Sequence, residues 1–293
     1  MKVALYAQHL QPQDSIFVEH LLDELAQVEA QVLVEAHFAA QLKQWIPDFS
    51  PSVFTVKEGL DTEVDLFISF GGDGTMLRAV TYVRDLGIPI VGINTGRLGF
   101  LSTFAKEDVR KVVTEFVSGA YSIEERTLVE VMPSSDLGAF EELNFALNEI
   151  TVSRKDTTSM ITVETFLDDE YLTSYWADGL IVSTPTGSTG YSLSCGGPVI
   201  APSAKSLVLT PIAPHNLNAR PLVISDETEI RLKVSGREEN HLISLDSRIA
   251  SIPNEKEIRI RKSPFTLRMI EYKSESFWKT LRNKLLWGED RRN

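Results

Sequence analysis

Cys195 is the only cysteine in the chain, so no intrachain disulfide can form, and an intracellular setting fits. Excess positive charge is also missing: 29 Lys and Arg face 41 Asp and Glu, a net charge of −12. A field of that sign repels nucleic acid and anionic membranes. A nucleotide ligand would have to be held by local devices instead: backbone N–H groups, a few arginines and a divalent cation. No apolar run approaches the ~20 residues that span a bilayer. The start, Met1-Lys2-Val3-Ala4-Leu5-Tyr6-Ala7, reads as a short strand and lacks the apolar segment and cleavage site of a secretory signal. A cytoplasmic protein is expected. His9, His20, His37 and His241 have no metal-ligand spacing and read as structural or exposed. The chain also lacks a G-x-G-x-x-G fingerprint opening a helix after its first strand, which argues against hydride transfer from a dinucleotide.

What is present divides into two textures. Up to about Ser102, short apolar strands (Val3–Ala7, Val32–Val34, Val53–Val56, Leu66–Phe70, Ile88–Ile93) alternate with helical spacing. One example is the run Ile16, Phe17, His20, Leu21, Leu25 and Val28. Such alternation predicts a parallel sheet with helices on its faces, and ligands on these sheets bind at the carboxyl ends of the strands. A helix is predicted over Glu107–Val117, ended by Gly119. Beyond it the pattern is mostly β, with ten further strand-like runs between Leu128 and Ile270. Phe277, Leu281 and Leu285 return to helical spacing and predict a C-terminal helix packed on a domain. The expected division is 1–102, with about 274–293, as an α/β domain, and 103–273 as a β-rich domain.

Three segments carry chemistry. The strand ending at Phe70 runs into Gly71-Gly72-Asp73-Gly74-Thr75, followed at once by a helical stripe of Met76, Leu77, Val80 and Val83. A glycine corner at a helix N-terminus suits phosphate. An acid there reads as a base, a metal ligand or a sugar-hydroxyl acceptor, or else as an ordinary helix N-cap. In the second segment, Asp178 to Ser194, an apolar strand delivers Ser183, Thr184, Pro185, Thr186, Gly187, Ser188, Thr189 and Gly190 into one loop ending at Tyr191. Its hydroxyls and amides suit a ribose or base edge, against the alternative of a hydroxyl-rich surface turn. The third is Asn148-Glu149 inside the apolar run Leu143–Val152; within a strand the two side chains point to opposite faces, so one of them faces inward unless the strand is a solvated edge. Cys195, flanked by Ser194 and Gly196-Gly197, reads as small-residue packing rather than a reactive thiol.

Together with Gly92-Ile93-Asn94-Thr95-Gly96-Arg97-Leu98-Gly99-Phe100-Leu101 and Pro214-His215-Asn216-Leu217-Asn218-Ala219-Arg220-Pro221, these segments closely resemble the NAD kinases, in order along almost the whole chain. Gly-Gly-Asp-Gly-Thr alone is less specific, because lipid kinases and phosphofructokinases share related loops. The −12 charge and the polar Thr/Ser loop argue against a lipid substrate, and no motif is missing that would reduce the chain to a non-catalytic sensor. The resemblance implies a Rossmann-like α/β domain followed by a mostly β domain, and phosphorylation of the adenosine 2′-hydroxyl of NAD by ATP to give NADP. It implies Asp73 as proton acceptor, with Gly72 and Gly74 against nucleotide phosphate and Arg78 as a phosphate ligand unless it is a solvated helix residue. Asn148, Glu149 and Asp178 would bind ribose and base. Thr186, Thr189, Gly190, Tyr191, Ser192, Ser194 and Ala213 would line the rest of the NAD site. A divalent cation, Mg2+, is the expected cofactor with ATP as donor, and a homodimer or homotetramer is expected. Polyphosphate as donor, NADH as acceptor, and the roles of His215 and Arg220 stay open. Three departures stand out: Gly190 where the family loop carries Ala, Trp176 where relatives are often polar or basic, and Arg248 in place of a frequent Gln, adding a cation near the ligand.

Overall fold

The computed structural model describes residues 1–57, 59–135, 137–156, 159–254, 256–272 and 276–287. The chain forms two compact units, one from Met1–Glu125 with the chain from Leu267 onward, the other from Arg126–Thr266.

The first unit opens with β1 (Lys2–Ala7), α1 (Ser15–Gln27), β2 (Gln31–Glu35), α2 (Ala36–Trp45) and β3 (Ser52–Phe54). It continues through β4 (Leu66–Phe70), α3 (Asp73–Val83), β5 (Ile90–Asn94), β6 (Phe104–Ala105) and α4 (Val109–Val117) into β7 (Tyr121–Val131). Strands β5, β4, β1, β2 and β3 lie side by side in that order, all parallel, and β6 pairs with β5. All five residues of β4 and of β5 are buried, because helices cover both faces of a parallel sheet. α1 turns Val18, Leu21 and Leu25 onto the sheet, and α4 does the same with Val109, Val112 and Val113. α4 belongs with this unit because it shares one apolar core with α1, so the division falls after Glu125 rather than after Ser102. The expected boundary at 273/274 lies outside the described residues.

α2 is absent from the sequence reading. It buries only Phe38 and Leu42, too sparse a stripe to show a period, but it is firmly started: the Glu35 carboxylate accepts the N–H groups of His37 and Phe38, each at 3.0 Å.

The second unit runs through β8 (Phe145–Ala146), β9 (Glu149–Arg154), β10 (Ile161–Leu167), β11 (Glu170–Ala177) and β12 (Gly179–Ser183). The short α5 (Tyr191–Ser194) follows, then β13 (Ser206–Ile212), β14 (Leu222–Ser225), β15 (Ile230–Gly236), β16 (Asn240–Leu245), β17 (Arg248–Pro253) and β18 (Ile258–Tyr272). β14, β13, β12, β9, β16 and β17 form a six-stranded antiparallel sheet, and β10 pairs antiparallel with β11 and β15. β12, central in its sheet, buries all five residues, and Ile150, Val152, Leu180, Val182, Ile243 and Leu245 belong to this unit's core. The expected strands are present here; β11 and β17 are additional, and Ile258–Ile260 and Thr266–Ile270 prove to be one continuous strand.

α6 (Phe277–Leu285) carries the expected C-terminal helix. Ser276 caps it by accepting the N–H of Lys279 at 3.2 Å, and Phe277 packs its ring 6.4 Å from that of Phe100 in the same unit. Among the described residues no helix is long and apolar enough to cross a membrane.

Candidate active site

The glycine corner follows β4, and the Asn94–Ser102 loop follows β5. Since β4 and β5 are parallel neighbours, both loops leave the same edge of the sheet. Gly72, not Asp73, is the N-cap of α3, and no side chain caps this helix. The carboxylate of Asp73, the first helical residue, reaches across to the neighbouring loop instead. Its Oδ2 accepts the N–H of Phe100 at 2.9 Å, and its Oδ1 accepts those of Leu101 at 3.0 Å and Ser102 at 3.1 Å. The N-cap alternative is thereby excluded. The contact is close: a Cβ at Gly99 would stand 1.8 Å from Asp73 Oδ1, so only glycine fits there. Asn94 closes the same loop, accepting the N–H of Gly96 at 2.7 Å and donating to the carbonyl of Arg97 at 2.6 Å.

Asp73 is half-buried, while Gly72, Gly74 and Arg78 are exposed beside it. Within the first turn of α3 the Thr75 N–H donates to the Gly72 carbonyl at 2.9 Å, which leaves the Asp73 and Gly74 N–H groups as the ones without an acceptor in the helix. Arg78 lies near Tyr6 and Tyr82: burial pushes the Tyr6 hydroxyl up to about 12, and the Arg78 guanidinium pulls it partly back. The corner therefore offers one fixed carboxylate, open amides and a cation.

In the second unit, β9 and β12 are antiparallel partners with Glu149 opposite Ser183. This register sets Asn148-Glu149 at the mouth of the Thr/Ser loop. The loop folds back on them: Thr184 N–H donates to the Asn148 carbonyl at 2.9 Å, Ser183 Oγ to the same carbonyl at 3.2 Å, and Thr184 Oγ1 to the Leu147 carbonyl at 2.6 Å. A Cβ at Gly187 would lie 2.1 Å from the Asn148 carbonyl oxygen, and one at Gly190 3.4 Å from Glu149 Oε2 and 3.5 Å from Asn148 Nδ2. Both polar side chains thus lie against the loop, and alanine at Gly190 would need only a small adjustment. Thr186 and Ser192 are buried, Thr189 and Gly190 half-buried, and Tyr191 and Ser194 exposed. Ser192 Oγ stands 2.8 Å from Thr210 Oγ1, which fixes the start of α5 on β13.

Glu149 is half-buried, and its Oε2, itself shielded from solvent, has no hydrogen-bond partner among the described residues. Burial, reinforced by the charge of Asp246, pushes its carboxyl up to about 8. Cys195 is held as a thiol: burial and the proximity of Glu149 raise it, the reverse of what a nucleophile needs.

Asp178 and Ala213 are not beside Asn148-Glu149. They lie at the other end of β12, about 17 Å away along the strand, where Asp178 pairs with Arg154 at 2.9 Å. With Met160, Trp176, His215 and Arg237 they line a cavity of ≈ 740 Å³. Tyr191 connects the two ends electrostatically: its hydroxyl is raised by burial first, then by Cys195, Asp178 and Glu149. Ala213 adopts φ +44°.

Arg248 is placed differently from expectation. Its guanidinium donates to the backbone carbonyls of Leu143 and Phe145 and stacks 5.5 Å from the Phe145 ring centroid, so it stitches the approach to β9 rather than standing as an open cation. The residue overlooked in the sequence is Asp246, two positions before it. Its carboxylate accepts three consecutive backbone N–H groups, those of Leu147, Asn148 and Glu149. Nothing local in Leu245-Asp246-Ser247-Arg248 announces partners nearly a hundred residues away.

Comparison with known proteins adds to this geometry. Residues 12–121 match the family model described as ATP-NAD kinase N-terminal domain, and residues 147–272 match the ATP-NAD kinase C-terminal domain. The chain belongs to the ATP-NAD kinase family. It is 57% identical over its full length to the full-length NAD kinase of Flavobacterium psychrophilum, and 52% to that of Flavobacterium johnsoniae. Yeast NADH kinase, solved in complex with NADH, superposes with a TM-score of 0.83 at 26% identity, covering 100% of this chain and 89% of that one. An NAD kinase from Archaeoglobus fulgidus in complex with ATP gives 0.74 at 28% identity, covering 98% and 99%. Membership in the ATP-NAD kinase family makes this chain a kinase, with the two-domain fold of that family.

Proposed function

We propose that Asp73 is the proton acceptor in the ATP-dependent phosphorylation of NAD that this chain carries out as a member of the ATP-NAD kinase family. The 2′-oxygen of the adenosine ribose attacks the γ-phosphorus of ATP and the bond to the β-phosphate breaks. The hydroxyl proton passes to Asp73, and NADP and ADP leave. Phosphoryl transfer is largely dissociative, so the nucleophile needs orientation and late proton removal more than prior ionisation. A carboxylate is weak as a base but suited to that task. The observation that carries the reading is the fixation of Asp73 by three N–H groups, which aims its remaining lone pair without freedom to swing away.

In this proposal Gly72, Gly74 and Arg78 meet nucleotide phosphate at the start of α3. Asn148, Glu149, Thr186, Thr189, Gly190, Tyr191, Ser192 and Ser194 take the adenosine part of NAD. Asp178 and Ala213 serve a more distant part of a dinucleotide, in the same or a neighbouring subunit of a homodimer or homotetramer. Among the described residues no three His, Cys, Asp or Glu side chains stand together as a cage for a metal ion. Mg2+ fits this donor set only as the ATP complex, held mainly by phosphate and water, where it would neutralise phosphate charge. A cytoplasmic setting completes the proposal.

The test is NADP formation from NAD by the wild type and by Asp73→Asn, with ATP, polyphosphate or no donor, with and without magnesium. Asp73→Asn should lower kcat about 10²- to 10⁴-fold while NAD still binds. A variant with near-normal kcat would rule out Asp73 as the proton acceptor.

A further inference from the structure

We propose that Asp246 is the positioning residue for the Asn148-Glu149 pair: a buried carboxylate on the β16–β17 turn that fixes the backbone from which both ligand-facing side chains project. This inference rests on the reading that Asn148 and Glu149 bind NAD.

The peptide groups of Leu147, Asn148 and Glu149 are fully accounted for. Leu147 N–H donates to Asp246 Oδ2 at 2.9 Å; Asn148 and Glu149 N–H donate to Oδ1 at 2.8 and 3.2 Å. Asp246 N–H returns a bond to the Glu149 carbonyl at 3.0 Å, and Thr184 and Ser183 take the carbonyls of Leu147 and Asn148. Register supports the arrangement, since β16 pairs with β9 with Leu245 opposite Ile150, which brings the turn after Leu245 to the residues before Ile150. Asp246 itself sits at φ +51°, a left-handed conformation that Asp tolerates better than most residues and that aims the carboxylate back at β9. Arg248 holds the preceding segment through the carbonyls of Leu143 and Phe145, so the approach to Asn148 is fixed from both sides.

A charged acceptor is required because three N–H dipoles converge on it. Burial pushes the Asp246 carboxyl up, while those N–H groups and the Arg248 guanidinium pull it back. An amide in its place would keep one acceptor oxygen and turn an NH2 toward at least one backbone N–H, leaving buried donors without partners. The Asn148 and Glu149 side chains would then lose their fixed origin, and the consequence belongs to NAD binding rather than to the donor.

The experiment compares wild type, Asp73→Asn and Asp246→Asn by steady-state kinetics in both substrates, by calorimetric binding of NAD without ATP, and by amide hydrogen exchange. For Asp246→Asn we expect KM and Kd for NAD to rise about tenfold or more. KM for ATP should stay within about twofold and kcat within about threefold, with faster exchange at 147–149. Equal changes in both KM values, or an NAD affinity within twofold of wild type, would overturn the proposal; a general loss of packing would move both substrates together. If Asp246→Asn does not fold, exchange in the wild type decides: the amides of Leu147 and Asn148 must be among the most protected outside the strands and that of Glu149, the first residue of β9, no less protected than they are, and rapid exchange there overturns the inference. Loss of turnover in Asp73→Asn with unchanged NAD binding in Asp246→Asn removes this inference alone, whereas a wild type that forms no NADP removes the functional reading and leaves the exchange result standing.

Discussion

Two acids with opposite environments define the chemistry at the residue scale. Asp73 has three N–H partners and is held as an acceptor, whereas Glu149 Oε2 has none among the described residues and is pressed by Asp246. The sequence leaves Asp73 poised between base and N-cap, because a Gly-Asp-Gly corner before a helix serves either role; its partners at Phe100–Ser102 exclude the N-cap. Glu149 makes a prediction in pH. Its folded value is raised from 4.5 to about 8 by burial and then by Asp246. The folded chain therefore binds a proton that the unfolded chain releases, so this group's contribution is complete below about pH 4.5 and is lost as pH rises through about 8. Glu149→Gln keeps the shape and removes the titration. Without ligand, the variant should gain stability relative to wild type between pH 5 and pH 8, on the order of 2–4 kcal/mol. Urea denaturation at the two pH values measures it, and parallel pH dependences would refute it.

Elements place these groups through close backbone approaches, and the glycines report which approaches matter. At Gly187 a side chain would meet the Asn148 carbonyl at 2.1 Å, whereas a Cβ at Gly72 meets nothing within 4 Å. Gly187→Ala should therefore cost about 1–3 kcal/mol and weaken NAD binding, while Gly72→Ala should leave the melting temperature of the free protein within about 2 °C. Thermal denaturation of the pair checks this; an equal loss in both would mean that the loop shifts freely. Both glycines look alike in sequence, as members of Gly/Ser/Thr-rich turns. The long, well-patterned elements are legible: the α1 and α4 stripes, the buried runs of β4 and β5, and the alternation of the later strands. α2 is not, because two buried side chains make no period, and neither is β17, whose inward residues alternate with exposed ones over only six positions.

At the scale of the whole molecule, the net charge of −12 opposes both anionic substrates until they reach the local donors. Raising ionic strength from about 10 mM to about 150 mM shortens the Debye length from roughly 30 to 8 Å. KM for ATP, at fixed pH and magnesium, should therefore fall over that range. A KM that rises steadily with salt would show that the positive local field governs capture instead. Strand–helix alternation and apolar spacing, read from the sequence alone, determine the α/β first unit and the mostly β second unit, because those periods are properties of neighbouring residues. The motif segments likewise announce a nucleotide kinase. Tertiary structure alone decides that Asp73 is clamped by a loop 27 to 29 residues away, that Arg248 turns onto backbone carbonyls, and that Asp246 holds the amides of residues 97 to 99 positions before it. The physical reason is that a hydrogen bond fixes a distance in space and imposes no spacing along the chain.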